Sequence, residues 1–333
     1  MAERLVESVP NVSEGRRLDV VDRIAATVSA TSGVHLLDRT SDADHNRSVL
    51  TMAGDAVAVC DALEALVGVA LAEIDMERQR GEHPRIGAVD VIPFVPLGET
   101  TMADCVELAR SFGRRLAAHY DLPVFFYAEA ALRPDRVRLA DVRRGQYEGL
   151  KVEIGQRGRE PDAGPSRTHP TGGAVAVGAR PFLVAWNIDL ATDDLEIAKR
   201  IARRVRESGG GLPKVQANGF WIADRGRAQV SMNLLDTTTT PMWRVWEEIA
   251  DLALEEGVRP AASELIGLAP LAAFLDVATH AGADPASPVE ARFAAAATFL
   301  QLMDADPSMA LELRLAAARG ASGPAGGGTE GSR

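Results

Sequence analysis

Cysteine is scarce in this chain. The only two in 333 residues, Cys60 and Cys105, lie inside apolar helical runs and lack CxxC spacing. That argues against a disulfide framework or a thiolate metal site, and it reads as two small core residues in a reducing compartment. Positive charge is also in deficit, with 36 Lys and Arg against 47 Asp and Glu and a net charge of −11. A nucleic-acid binder would need a dominant basic field, so that class is set aside, and an anionic substrate would call for locally placed arginines. No window is apolar for the roughly 18 residues that a membrane span needs, and "MAERLVESVP" has no charged segment leading into an apolar one. The expected location is cytoplasmic, with no membrane partner.

Motifs are missing as well. Among six histidines there is no H-E-x-x-H and no second imidazole at ligand spacing, so no metal is expected. No G-x-S-x-G elbow marks a serine hydrolase. "SGGGLPK" has the wrong glycine spacing for a phosphate loop, and no Ser or Thr follows its lysine.

What is present is an ordinary globular composition, 46% hydrophobic and 25% charged, in a chain longer than one domain usually is. Periodicity predicts a strand over 4–10, a helix over 16–30, strands over 34–40 and 47–53, a helix over 55–77 and a strand over 89–96. A helix over "MADCVELARSFGRRLAAHY", a strand in "PVFFYAE" and a helical basic stretch, "RPDRVRLADVRRGQYEG", follow. "GQRGREPDAGPSRTHPTGGA" has no apolar period and reads as a long irregular connection, either linker or binding loop.

The second half repeats the order with strand "FLVAWNIDL", helix "DDLEIAKRIARRVRES", strands "KVQANGFWIA" and "RAQVSMNLLD", helix "PMWRVWEEIADLALEEG" and strand "PAASELIG". Ile197, Ile201 and Val205 recur at helical spacing, and Thr192 is placed to cap. Two β-α-β-β-α-β units in succession predict an α+β protein of two ferredoxin-like sandwiches. The expected division is 1–178 and 179–285, then a helical extension over 286–319 and a disordered tail over 320–333.

Chemistry has several candidate places. On the strands of the second half one parity gives Asn187, Gln216, Asn218, Gln229, Ser231 and Asn233, a face of neutral hydrogen-bonding groups. A solvated sheet face is the plain alternative, but amides that both donate and accept suit a heterocycle. In the first half, "VPNVSEG" sets Asn11, Ser13 and Glu14 at the opening of a helix, as cap or contact. "SDADHNRSV" sets Asp42, Asp44, His45, Asn46 and Arg47 in a strand-to-strand turn, with Arg47 a candidate carboxylate clamp. In "RGEHPR", His83 lies in a loop ahead of a strand, and Pro84 restricts its backbone to extended geometry. An imidazole titrating near neutrality suits proton shuttling between nitrogens, whereas a surface histidine is the ordinary alternative.

The set "VPNVSEG", "DADHNRSVLT", "GEHPRIGAVDVIPFVP", "AGPSRTHPTGGAVAVGARPFLVAWNIDL", "KVQANGFWIADRGRAQVSMNLLD" and "SELIGLAP" resembles the glutamate formimidoyltransferase (formiminotransferase) family over about residues 4–279. The resemblance implies transfer of the formimidoyl group of N-formimidoyl-L-glutamate to N5 of tetrahydrofolate, a co-substrate held in a cleft between two ferredoxin-like subdomains. It implies His83 as the catalytic residue. It also implies a folate-binding loop of Gly164, Pro165, Ser166, Arg167, Thr168, His169, Pro170, Thr171, Gly172 and Gly173. Arg47, Arg85 or Arg167 would hold carboxylates, and Asn11, Asn46, Asn187, Gln216, Asn218, Ser231 and Asn233 are further substrate contacts. A homodimer is expected, with a separate cyclodeaminase acting next. A glutamate formyltransferase and a non-catalytic folate-binding protein are the competing expectations.

Overall fold

The computed structural model describes residues 4–321. In chain order the first unit contains β1 (Arg4–Ser8), β2 (Asn11–Val12), α1 (Leu18–Ala30), β3 (Val34–Asp42), β4 (Arg47–Asp55), α2 (Ala56–Glu73), β5 (Val89–Gly98), α3 (Met102–Tyr120), β6 (Val124–Ala128), α4 (Leu139–Val142), α5 (Gln146–Glu153) and β7 (Val175–Ala179). The second contains β8 (Val184–Leu190), α6 (Leu195–Val205), β9 (Val215–Ile222), β10 (Arg227–Leu234), α7 (Met242–Glu255), β11 (Pro260–Ile266), α8 (Leu271–His280), α9 (Val289–Phe299) and α10 (Leu311–Ala321). Among the described residues no helix is long and apolar enough to cross a membrane.

The first unit is built on one seven-stranded sheet. β3 lies beside β4, and β1 and β2 together fill the line between β4 and β5, all antiparallel. β5 then pairs in parallel with β7, and β7 with β6. Alternation along the strands divides the core in two. Val124, Phe126, Val175 and Val177 face the main cluster with the buried stripes of α1, α2 and α3, whereas Phe125, Tyr127, Ala174 and Ala176 face a smaller cluster with Val142 and Leu150. β5 carries an almost unbroken apolar run because both of its faces are covered. Thr101 and Asp104 form a reciprocal capping box at the start of α3, worth about 1 kcal/mol.

The second unit has a four-stranded antiparallel sheet in the order β11-β8-β10-β9. Ile197, Ile201 and Val205 of α6 and Val245, Ile249 and Leu252 of α7 are buried, as are Trp186, Ile188, Val230 and Met232 of the sheet. Trp186 stacks on Trp246 at 6.2 Å between ring centres. Farther along, α9 joins α8 through Phe274 and Phe293, 4.7 Å apart, and Leu311 at the start of α10 donates its N–H to Ala269.

Several expected details change. The predicted strand over 4–10 ends at Ser8, and a second short strand, β2, begins only after Val9 and Pro10. α2 stops at Glu73, where residues 75–79 turn back on Asp75. The basic stretch is no single helix but α4 and α5 with a short 3-10 turn before them. Asp194, not Thr192, caps α6 by accepting from the Glu196 N–H at 2.8 Å. β7 is absent from the periodicity reading, because five residues buried on both faces have no alternation to read. Since β7 belongs to the first sheet, the chain divides between Phe182 and Leu183. Residues 320 and 321 of the expected tail are helical, and 322–333 lie outside the described residues.

Candidate active site

The loop carrying His83 is held on three sides by backbone contacts that need glycine. Glu82 donates its N–H to Asp44 O at 3.3 Å, and a Cβ on Gly81 would sit 2.2 Å from His45 O. On the other side Ala174 donates to Ile86 O and Ala88 donates to Gly172 O, both at 2.9 Å. A Cβ on Gly87 would lie 1.9 Å from Ala174 O. From below, Ser13 donates its hydroxyl to Gly87 O at 2.7 Å and its N–H to Ala88 O at 2.8 Å. The expected catalytic loop and the end of the expected folate loop therefore share one backbone seam.

Within that frame most polar side chains are already engaged. Asn46, with φ of 48°, accepts from Gly15 N and donates to Arg80 O, each at 2.9 Å. It bridges the opening of α1 and the His83 loop with one amide N–H and its amide oxygen. Asn11 donates to Val9 O at 3.1 Å and Ser13 to Gly87, so neither caps α1. α1 begins after Arg17 without a side-chain cap, and Glu14 instead shapes the turn ahead of it, accepting from the N–H groups of Arg16 and Arg17 at 3.0 and 2.9 Å. Arg85 is 5% exposed. It donates to Gln79 Oε1 at 2.8 Å, to Gln146 at 2.9 Å, to both oxygens of Glu148 at 3.0 and 2.7 Å, and to Gln79 O at 3.4 Å. A guanidinium has five N–H groups, so none is left for a substrate carboxylate. Arg85 is corrected from anion contact to an anchor holding the loop on α5.

His83 itself is half-buried, and its Nε2 lies 2.6 Å from Arg47 Nη1. Arginine can only donate, so Nε2 carries the lone pair and the ring proton is on Nδ1. Burial, then the positive fields of Arg47, Arg143, His45 and Arg85, push the imidazole down to about 3, and it is neutral throughout the physiological range. The His45 ring stands edge-on at 6.3 Å, and its Nδ1 is 2.9 Å from Asp42 Oδ2. Glu82 is exposed.

One member was missed by sequence reasoning. Asp90, 1% exposed, accepts from the Ile86 N–H at 2.8 Å and pairs with Arg143. A lone acid in the apolar run "AVDVIPFVP" was the available signal, because a buried carboxylate needs partners.

The loop over 164–173 is held at its ends. Gly164, at φ of +87°, has no room for a Cβ, which would meet Leu122 O at 2.5 Å. Thr171 O accepts from Met76 at 2.8 Å. His169 Nδ1 accepts from Gly172 N at 2.9 Å, so this imidazole braces the turn into Gly173, and burial holds its pKa below the usual value. Pro165 and Thr168 are half-buried, whereas Ser166, Pro170 and Arg167 are exposed, with Arg167 paired to Asp121.

In the second unit, register sets Glu264, Asn187, Ser231 and Asn218 in one row across the sheet, with Gln216 beside Asn233 in the next. The expected face is thus assembled, but not as a neutral one. Asp189 shares the parity of Asn187 and accepts from Gln229 at 2.8 Å and from Arg225 at 3.0 Å, while Arg225 also reaches Glu264 at 2.7 Å.

The protein matches known families over most of its length. Residues 5–180 match the formiminotransferase domain, N-terminal subdomain, and residues 185–284 match the formiminotransferase domain. The chain is similar to a glutamate formimidoyltransferase of Streptococcus pyogenes, 44% identical over 277 residues, which is 83% of this chain and 93% of that protein. A glutamate formimidoyltransferase of Thermoplasma acidophilum is 45% identical over 278 residues, covering 83% and 91%. The formimidoyltransferase-cyclodeaminase of Rattus norvegicus is 42% identical over 281 residues, 83% of this chain but 52% of the rat protein. A half-buried neutral imidazole and these relatives define an enzyme of the transferase class. More narrowly, the chain belongs to the formiminotransferase domain family.

Proposed function

We propose that the protein transfers the formimidoyl group of N-formimidoyl-L-glutamate to N5 of tetrahydrofolate, releasing L-glutamate, as a step of histidine breakdown. The observation that carries this reading is His83, an imidazole held neutral on a loop that shares its backbone seam with residues 172–174. Similarity to two proteins named glutamate formimidoyltransferase, each over nine-tenths of its length, supports the substrates.

N5 attacks the amidine carbon, the C–N bond to glutamate breaks, and the proton lost by N5 ends on the glutamate nitrogen. One neutral imidazole can accept that proton and return it, so the cycle needs no net base. His83 performs both transfers at Nε2. The loop over 164–173 contacts the folate through its middle, residues 165–168, since its ends are braced. Arg47 and Arg167 are the arginines available to carboxylates, and the sheet-face residues Asn187, Gln216, Asn218, Ser231 and Asn233 contact the pterin amide edge. In each unit, the first strand of the β-α-β-β-α-β run lies between the third and the fourth, which supports ferredoxin-like sandwiches. The family resemblance further suggests a homodimer.

The test is direct. Purified protein is mixed with tetrahydrofolate and either N-formimidoyl-L-glutamate or N-formyl-L-glutamate, and the absorbance of the folate product is followed. Turnover of the formimidoyl compound is expected. Turnover of the formyl compound alone would replace this reading with a formyltransferase, and folate binding with neither reaction would replace it with a carrier.

A further inference from the structure

Most of the buried or half-buried charged groups around His83 have an ion-pair or hydrogen-bond partner of their own. Arg143 at the end of α4 holds Asp90 of β5, Arg85 of the loop holds Glu148 of α5, and His45 holds Asp42 of β3. Arg47, at the start of β4, has no ion-pair partner among the described residues, and its Nη1 donates to the lone pair of His83 Nε2 at 2.6 Å. That lone pair is the one a general base must offer. Burial and the field of Arg143 work against the charge of Arg47, the carboxylates of Asp90 and Asp42 act on it only through space, and a half-buried guanidinium with no direct ion pair favours a carboxylate that can reach it.

We propose that Arg47 is a positioning residue that masks His83 in the free enzyme and releases it when a carboxylate of the formimidoyl donor pairs with the guanidinium. The identity of that carboxylate rests on the function proposed above, whereas the mask rests on the contact between Arg47 and His83. Pairing draws the Nη1–H away from Nε2 and cancels one of the positive fields on the ring. Arg143, His45 and Arg85 still face it, but the affinity of Nε2 for a proton rises toward the ordinary value. The base is then competent only when the donor is seated. After glutamate departs with the N5 proton, Arg47 returns to Nε2.

The test reads the imidazole and not turnover. Protein labelled with 15N at histidine is titrated from about pH 8 to about pH 4 by NMR, a range that spans the usual imidazole titration. The His83 signals are assigned by their loss in His83→Asn, and the remaining histidines report that each variant is folded. Free wild-type protein should keep His83 neutral, with the proton on Nδ1, across that range. N-formimidoyl-L-glutamate added without folate should raise the midpoint by about one unit or more, the size expected from pairing one close cation. Arg47→Gln should raise it without ligand and abolish the further response. Arg47→Lys, which keeps the charge but offers no planar fork, should give an intermediate midpoint, and it carries the test if the Gln variant does not fold.

An Arg47→Gln midpoint equal to wild type would overturn the proposal. So would a donor that is turned over yet leaves wild-type His83 unmoved. If acetate shifts His83 in wild type but not in Arg47→Gln, while the donor is neither bound nor turned over, the mask stands and the substrate assignment falls.

Discussion

In the first unit, the polar residues near His83 come from separate segments: the residues just after β2, the β3–β4 turn, the loop before β5, the end of α4 and the first turn of α5, and the loop before β7. They meet through long-range bonds, and each side chain is committed by its neighbours. In the second unit, Asn187, Gln216, Asn218, Ser231 and Asn233 come from three adjacent strands, and register alone sets them side by side. The first arrangement fixes a protonation state; the second fixes a pattern of donors and acceptors. A group that must move a proton needs its environment built around it, whereas a recognition face can be written in the period of a strand.

That contrast can be tested by breaking each side. His83→Asn should lower the transfer rate by about 10²- to 10⁴-fold, the range of a lost general acid–base group, with folate affinity measured by fluorescence little changed. A variant turning over near the wild-type rate would remove His83 from the mechanism. Asp90→Ala should destabilise the first unit by about 2–4 kcal/mol in urea titrations, because the half-buried Arg143 is then left without its partner. A loss under about 1 kcal/mol would mean that the seam does not depend on that pair.

The imidazole also makes a prediction about pH. An unfolded histidine takes its proton near 6.5, and folded His83 only near 3. Between those values the unfolded chain binds more protons, so the contribution of the neutral ring is fully present above 6.5 and is lost as pH falls toward 3. The stability of wild type relative to His83→Asn should decline through that window. Parallel curves would contradict a neutral folded imidazole. The smallest effect belongs to the other unit, where Asn218 is exposed: Asn218→Ala should leave stability within about 0.5 kcal/mol and weaken folate binding several-fold. Unaltered affinity in an equilibrium titration would return the sheet face to plain solvation.

The same contrast explains what could be read without coordinates. The β-α-β-β-α-β order of both halves was legible, because amphipathic periods carry it, whereas β7 had no alternation to read. Parity placed the amides on one face, but it counted Asn187 and passed over Asp189, two residues on and of the same parity, so the charge of the face went unseen. His83 could be named, but not its protonation state, which depends on Arg47 and Arg143 from distant segments. Arg85 stands two residues from His83 and read as an anion contact. Its five donors are filled by Gln79, Gln146 and Glu148, a fact held in the tertiary structure alone.

The seam at Gly87, Gly172 and Gly173 has a consequence for how this protein can change over time. Where two segments meet through side chains, a substitution on one can be answered by a substitution on the other, and the spacing drifts by small steps. Here the surfaces in contact are backbone hydrogens and carbonyl oxygens, with 1.9 Å left for a methyl at Gly87 and 2.4 Å at Gly173. Any amino-acid substitution at either position adds at least one carbon where there is no space for it. The distance between the proton-bearing loop and the loop before β7 is therefore inherited as a fixed length, and sequence variation is pushed outward to the side chains that surround it.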